Sequence, residues 1–259
     1  MRATIAVFLL VAFTLSSHAE VRTRDVVYHI DGEEFTGQLA WDDALGGPRP
    51  GVLVFPEWWG LSDYERTRAR MLAELGYVAL AVDMYGTGRH TADPEQAKAW
   101  MQAVTTDVAW WRERALKALE VLRADSLVAA DNVAAIGYCF GGGTVLQLAY
   151  SGADVDGVVS FHGSLPAPDE ESLAAIQASI LVLHGNADPF VADAVVNQLR
   201  EKLEAGDVDW QLHIYGGVRH SFTNPGANEH GMDALEYDAT ADDRSWAAMK
   251  TFFAEIFTD

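Results

Sequence analysis

The chain has 259 residues, 49% of them hydrophobic, and 38 acidic against 18 basic side chains give it a formal charge of −20. That length suits one α/β core. A surface so acidic repels nucleic acid and anionic lipid, which argues against both as partners. The single cysteine, Cys139, excludes an internal disulfide.

Residues Met1–Ala19 read as a secretory signal. Arg2 supplies a minimal positive start, Ile5 to Leu15 is almost wholly apolar, and Ser17-His18-Ala19 places small residues before a cut at Glu20. An uncleaved anchor is the alternative, but the run is short for a span. The expected organisation is therefore a signal over 1–19 and a single domain over 20–259, exported to the periplasm or beyond and free of the membrane after cleavage.

Asp25 to Ile30 and Glu34 to Trp41 predict two strands around an Asp31-Gly32 turn. Gly51 to Pro56 is apolar throughout, as a strand covered on both faces must be, and Glu57-Trp58-Trp59-Gly60 follow at its end. Ser62 or Asp63 can cap a helix that Gly76 ends. Tyr77 to Val82 predicts the next strand, finishing in Asp83-Met84-Tyr85-Gly86. Between Thr91 and Leu122 lie two helical patterns with Pro94 near the start. Trp100, Met101, Val104, Val108, Trp111, Leu116, Leu119 and Leu122 form their expected buried stripe, read as core rather than ligand contact.

The run Asn132 to Ile136 predicts a strand, Thr144 to Tyr150 a helix, and Gly137-Tyr138-Cys139-Phe140-Gly141 the sharp turn between them. Glycine two residues to either side of Cys139 gives the form of a nucleophile elbow with sulfur in place of oxygen. Packing of Cys139 as a small hydrophobe is the alternative. Strands follow at Gly157 to Phe161, Ser179 to Leu183 and Trp210 to Tyr215, with a helix from about Ala192 to Ala205 and a closing helix from Glu236 or Thr240 to Phe257. Alternating strands and helices predict an α/β fold, a mostly parallel central sheet with helices on both faces.

In such sheets the chemistry gathers at the carboxyl ends of the strands, where Glu57, Cys139, Asp188 and His220 fall. Nucleophile, acid and histidine follow the chain order of α/β-hydrolases. A thiol needs a neighbouring base to become thiolate; His220 can supply it, and Asp188 can fix the imidazole tautomer. Alone, Asp188 could instead cap the following helix, and His220 could be a surface histidine. His184 reads as structural, its imidazole satisfying loop backbone groups, and His162 as a candidate pocket residue. His29, His90, His213 and His230 show no ligand spacing, so no metal is expected.

Gly137-Tyr138-Cys139-Phe140-Gly141-Gly142, the strand-end Glu57, His184-Gly185-x-x-Asp188-Pro189 and Arg219-His220-Ser221-Phe222 together resemble the dienelactone hydrolase family of α/β-hydrolases. The resemblance implies a Cys139–His220–Asp188 triad with Glu57 beside the thiol, where like charge would keep the resting sulfur protonated. It also implies an oxyanion hole from the backbone N–H groups of Trp58 and Phe140. The expected activity is hydrolysis of a small-molecule carboxylic ester or lactone through a thioester, with no cofactor. Trp58, Trp59, Tyr85, Tyr138 and Phe161 are expected to give the pocket its aromatic character, with His162 and Asn224 also near the substrate. Asn224 stands where the family's type enzyme has an arginine that holds the substrate carboxylate, and Arg89 is the nearest candidate for a second such arginine. A ligand-binding protein on a hydrolase scaffold, with little turnover, is the alternative. A thiol redox protein fits poorly, because no second cysteine can resolve an intermediate. The oligomeric state is left open, and a monomer is compatible with every reading.

Overall fold

The computed structural model describes residues 20–257, so the proposed signal segment lies outside the described residues. Eight strands form one sheet in the order β1-β2-β4-β3-β5-β6-β7-β8. The expectation of strands alternating with helices is met, with one refinement at the edge. β1 (Val21–Ile30) and β2 (Glu33–Asp42) form an antiparallel hairpin, and β2 also runs antiparallel to β4 (Val78–Ala81). The Asp31-Gly32 turn allows this hairpin because both residues take positive φ, 49° and 83°.

The other strands, β3 (Arg49–Phe55), β5 (Val128–Tyr138), β6 (Gly157–Phe161), β7 (Ser179–Gly185) and β8 (Trp210–Tyr215), continue in parallel from β4. Their apolar residues divide by strand alternation. Val52 and Val54 of β3 pack on one face with α1 (Asp63–Glu74) and α7 (Ala239–Ile256). Leu53 and Phe55 pack on the other with α2 (Pro94–Thr105), α3 (Val108–Arg123), α4 (Phe140–Tyr150) and α6 (Asp193–Ala205). A short helix, α5 (Glu170–Ala175), and a 3₁₀ turn at Ala227–His230 were not anticipated.

α4 carries the elbow and is buried along its whole length, which explains its unbroken apolar and glycine composition. Two members of the expected helical stripe are corrected: Val108 and Leu116 are 44% and 39% exposed. Val108 is the first residue of α3, capped by Asp107. Leu116 borders a polar surface groove between Arg112 and Lys117.

Candidate active site

Cys139 occupies a backbone conformation that its neighbours impose. Its φ of 54° and ψ of −113° lie outside the regions ordinary residues favour. The turn is held by Cys139 N–H donating to Phe161 O at 3.1 Å and Gly141 N–H donating to Pro56 O at 2.9 Å. Here the glycines are sterically required. A Cβ at Gly137 would overlap the backbone of Gly141, and one at Gly141 would overlap the carbonyls of Phe55 and Pro56. The thiol is left partly accessible at the start of a buried helix.

His220 comes from the loop after β8 and is 4% exposed. Its Nδ1 lies 2.6 Å from Asp188 Oδ2, which leaves Nε2 to serve the adjoining Cys139. Burial disfavours charge on the imidazole, yet the adjoining Cys139 and the Asp188 carboxylate outweigh it and raise the His220 pKa above the usual histidine range. Asp188 does not cap α6, whose N-cap is Ala192 with no side-chain bond. Instead its Oδ1 accepts the Phe190 N–H at 2.8 Å while Oδ2 holds the histidine. This geometry allows a proton to pass from sulfur to Nε2 while Nδ1–H stays fixed on Asp188.

Glu57 is 1% exposed, and both of its carboxylate oxygens are hydrogen-bonded. Oε1 accepts from Ser221 Oγ and Oε2 from Asn224 Nδ2, each at 2.6 Å. Both donors lie on the histidine loop, so Glu57 ties that loop to the end of β3. Burial, and then the neighbouring Glu65, push its pKa up to about 7, against the lowering effect of the two donors and His220. Glu65 is a member of the site that sequence reading missed. It is buried, accepts the Glu57 N–H at 3.1 Å, and closes a capping box with Ser62. Its visible signal was Ser62-x-x-Glu65 at a helix start.

The two amides expected to receive an oxyanion are available. Neither the Trp58 nor the Phe140 N–H has an acceptor among the described residues, and Tyr85 Oη steadies the Trp58 segment by donating to Trp58 O at 3.1 Å. Phe140 begins α4, where the helix N-terminus favours negative charge.

A cavity of about 200 Å³ opens at the thiol, lined by Trp58, Met101, Phe140, Ser164, Phe190, Val191 and Leu235 around Cys139 and His220. Of the expected aromatic set only Trp58 is there. Trp59 packs with Ala97, Ala227 and Leu235 and stacks on His230 at 4.0 Å. Tyr85 lies behind Phe140, their rings stacked at 5.7 Å. Tyr138 and Phe161 face the opposite side of the sheet, because strand alternation turns them toward α1 and α7. Asn224 is held by Glu57. His162, with φ 39°, is fully buried beneath the site, its Nε2 2.7 Å from Thr223 Oγ1 and its ring edge-on to His220 at 5.2 Å. His184 is buried, but its Nδ1 satisfies no loop group, contrary to expectation. Met101, expected as core, lines the cavity. Phe190 and Leu235 went unforeseen, although Phe190 sits two residues after the strand-end acid, where its ring meets His220 edge-on at 5.1 Å.

The model of the dienelactone hydrolase family matches residues 35–257. A dienelactone hydrolase-like promiscuous phosphotriesterase from metagenomic libraries has a solved structure that superposes with a TM-score of 0.90 at 43% identity, covering 93% of this chain and all of that one. A protein termed m3DLH superposes with a TM-score of 0.89 at 44% identity over 92% of this chain and 99% of its own. A putative carboxymethylenebutenolidase from Saccharolobus solfataricus is 26% identical, with 90% of this chain and 98% of that protein covered.

Proposed function

This chain belongs to the dienelactone hydrolase family and is an ester or lactone hydrolase; we propose that it works through Cys139 as nucleophile, with His220 as base and Asp188 as its orienting acid. The observation that carries this reading is the 2.6 Å Nδ1–Asp188 bond, which directs His220 Nε2 to a cysteine on a positive-φ elbow.

His220 takes the Cys139 proton as sulfur attacks the ester carbonyl. The oxyanion is received by the N–H groups of Trp58 and Phe140. Collapse breaks the C–O bond, and the alkoxide leaves with the proton from Nε2. Water, deprotonated by His220, then hydrolyses the thioester and returns a proton to sulfur. One ester and one water become one acid and one alcohol. Glu57 holds the histidine loop through Ser221 and Asn224 while Glu65 holds the Glu57 segment.

The test is a panel of activated esters, lactones and one phosphotriester, the last because a relative 43% identical is described as a promiscuous phosphotriesterase. Saturable turnover lost in both Cys139→Ala and His220→Ala is expected; turnover surviving Cys139→Ala would remove the proposed nucleophile. Export belongs to the same proposal, and N-terminal sequencing of secreted material should begin at Glu20.

A further inference from the structure

The cavity at Cys139 does not end at the thiol. A second cleft of about 390 Å³ adjoins it, and the two share Met101, Phe140, Ser164, Phe190 and Val191 as walls. The second cleft is completed by Thr105, Trp111, Leu165, Pro166 and Val195. Alone, the first cavity is smaller than ordinary small-molecule sites; joined to the second, it enters their range.

No lysine, arginine or carboxylate lines either space, so His220 is the one group there able to carry positive charge. The candidate cations are committed elsewhere. Arg89 donates to Tyr85 O at 2.7 Å, pairs with Glu33 at 3.6 Å and borders a separate polar cavity with Arg66 and Asp83. Arg219 donates to Asp233 O at 2.9 Å and pairs with Glu236 at 3.5 Å. Asn224, which could at most have offered an amide, donates it to Glu57. A substrate carboxylate against these walls would meet apolar surface and gain no partner for its charge.

Taking the hydrolase reading of Cys139 as given, we infer that the substrates are neutral esters with one extended apolar arm, which runs from the thiol past Ser164 into the cleft between α2, α3 and α6. Substrates that carry a carboxylate on that arm are excluded. Phe140 and Val191 form the continuous walls. Val195 and Thr105, each half-buried on a helix that borders the far end, set the length the arm can reach.

The experiment compares 4-nitrophenyl octanoate with the 4-nitrophenyl monoester of suberic acid, which has the same eight-carbon arm ending in a carboxylate, and adds 4-nitrophenyl acetate as the short reference. The octanoate should exceed the suberate monoester in kcat/KM by about tenfold or more, in keeping with a charge that meets apolar walls and no partner. High salt should leave that ratio within about threefold, because the lack of a charged partner, unlike repulsion from the acidic surface, does not depend on ionic strength. Val195→Arg should cut the octanoate-to-acetate ratio by about tenfold or more and narrow the octanoate-to-suberate gap. Thr105→Arg, at the same end of the cleft, provides the same reading if the first variant fails to fold. Equal rates on octanoate and suberate monoester would overturn the inference, as would a ratio that collapses in high salt or survives both arginine variants. If Cys139→Ala kept its turnover of all three esters, the assignment of Cys139 as nucleophile would fail instead.

Discussion

Two buried carboxylates stand at strand ends on either side of the histidine loop, and their surroundings drive them apart. Asp188, after β7, shares its oxygens between the Phe190 N–H and the His220 ring, so its charge faces a group that can become a cation. Glu57, after β3, is bonded to the neutral donors Ser221 and Asn224; burial, and then Glu65, raise its pKa to about 7 against the lowering effect of those donors and His220. Asp188 is therefore placed to hold the imidazole in one tautomer and orientation while the histidine cycles. Glu57 sits at the edge of protonation near neutral pH. Similar side chains acquire different work from what surrounds them.

The sharpest break in this comparison is Asp188→Asn. It leaves the shape intact but offers the imidazole an amide in place of a charge, and kcat should fall about 10³- to 10⁴-fold. A fall below about tenfold would show that the two carboxylates are more alike than their settings imply.

Ser221→Ala acts on the other side. It removes one hydrogen bond to a buried carboxylate, a loss of about 1.5–3 kcal/mol, and should lower kcat/KM about tenfold or more by loosening the histidine loop. The variant should also raise the pH at which Glu57 titrates, because that donor lowers its pKa.

Glu57→Gln keeps an acceptor for Asn224 and a donor for Ser221, whose hydroxyl can accept in turn. Its activity at alkaline pH should stay within a few-fold of the parent, while the part of the pH–rate profile centred near 7 disappears. Stability gives the independent check. A carboxyl whose pKa rises on folding, here from 4.5 to about 7, binds more protons in the native state, so native stability falls as pH climbs through that window. The loss is about 3 kcal/mol at most. In urea titrations Glu57→Gln should flatten that slope between about pH 4.5 and 7.

The smallest expected effect comes from Glu65→Gln. It removes the like charge that helps hold the Glu57 pKa up, so the same limb should move to lower pH with little change in the alkaline plateau. An unmoved limb would assign the whole shift to burial.

Much of this arrangement is legible in the chain itself. The Gly137-x-Cys139-x-Gly141 spacing encodes the elbow because side chains at both glycines collide with backbone. The strand-end positions of Asp188 and Glu57 follow from apolar runs that a buried sheet uses. The partners of Glu57 were less visible. Ser221 and Asn224 meet it across more than 160 positions of sequence, and no local pattern marks such a contact. The pocket was read least well, since aromatic residues beside the motif were given to it. Strand alternation sends Tyr138 to the far face, while Met101, Phe190 and Leu235 arrive from separate loops and helices. The Met101 stripe reads as core in sequence because one helix face can serve core and pocket alike.

Rapid-quench mass spectrometry of the intact protein mixed with excess 4-nitrophenyl octanoate shows whether carbonyl chemistry begins at the Cys139 sulfur. An acyl adduct of one octanoyl group is expected, mapped to the peptide that holds Cys139, formed within the first turnover and cleared as substrate is exhausted. Substrate turnover with Cys139 never acylated, or an adduct on another residue that forms and decays at the rate of turnover, would contradict it.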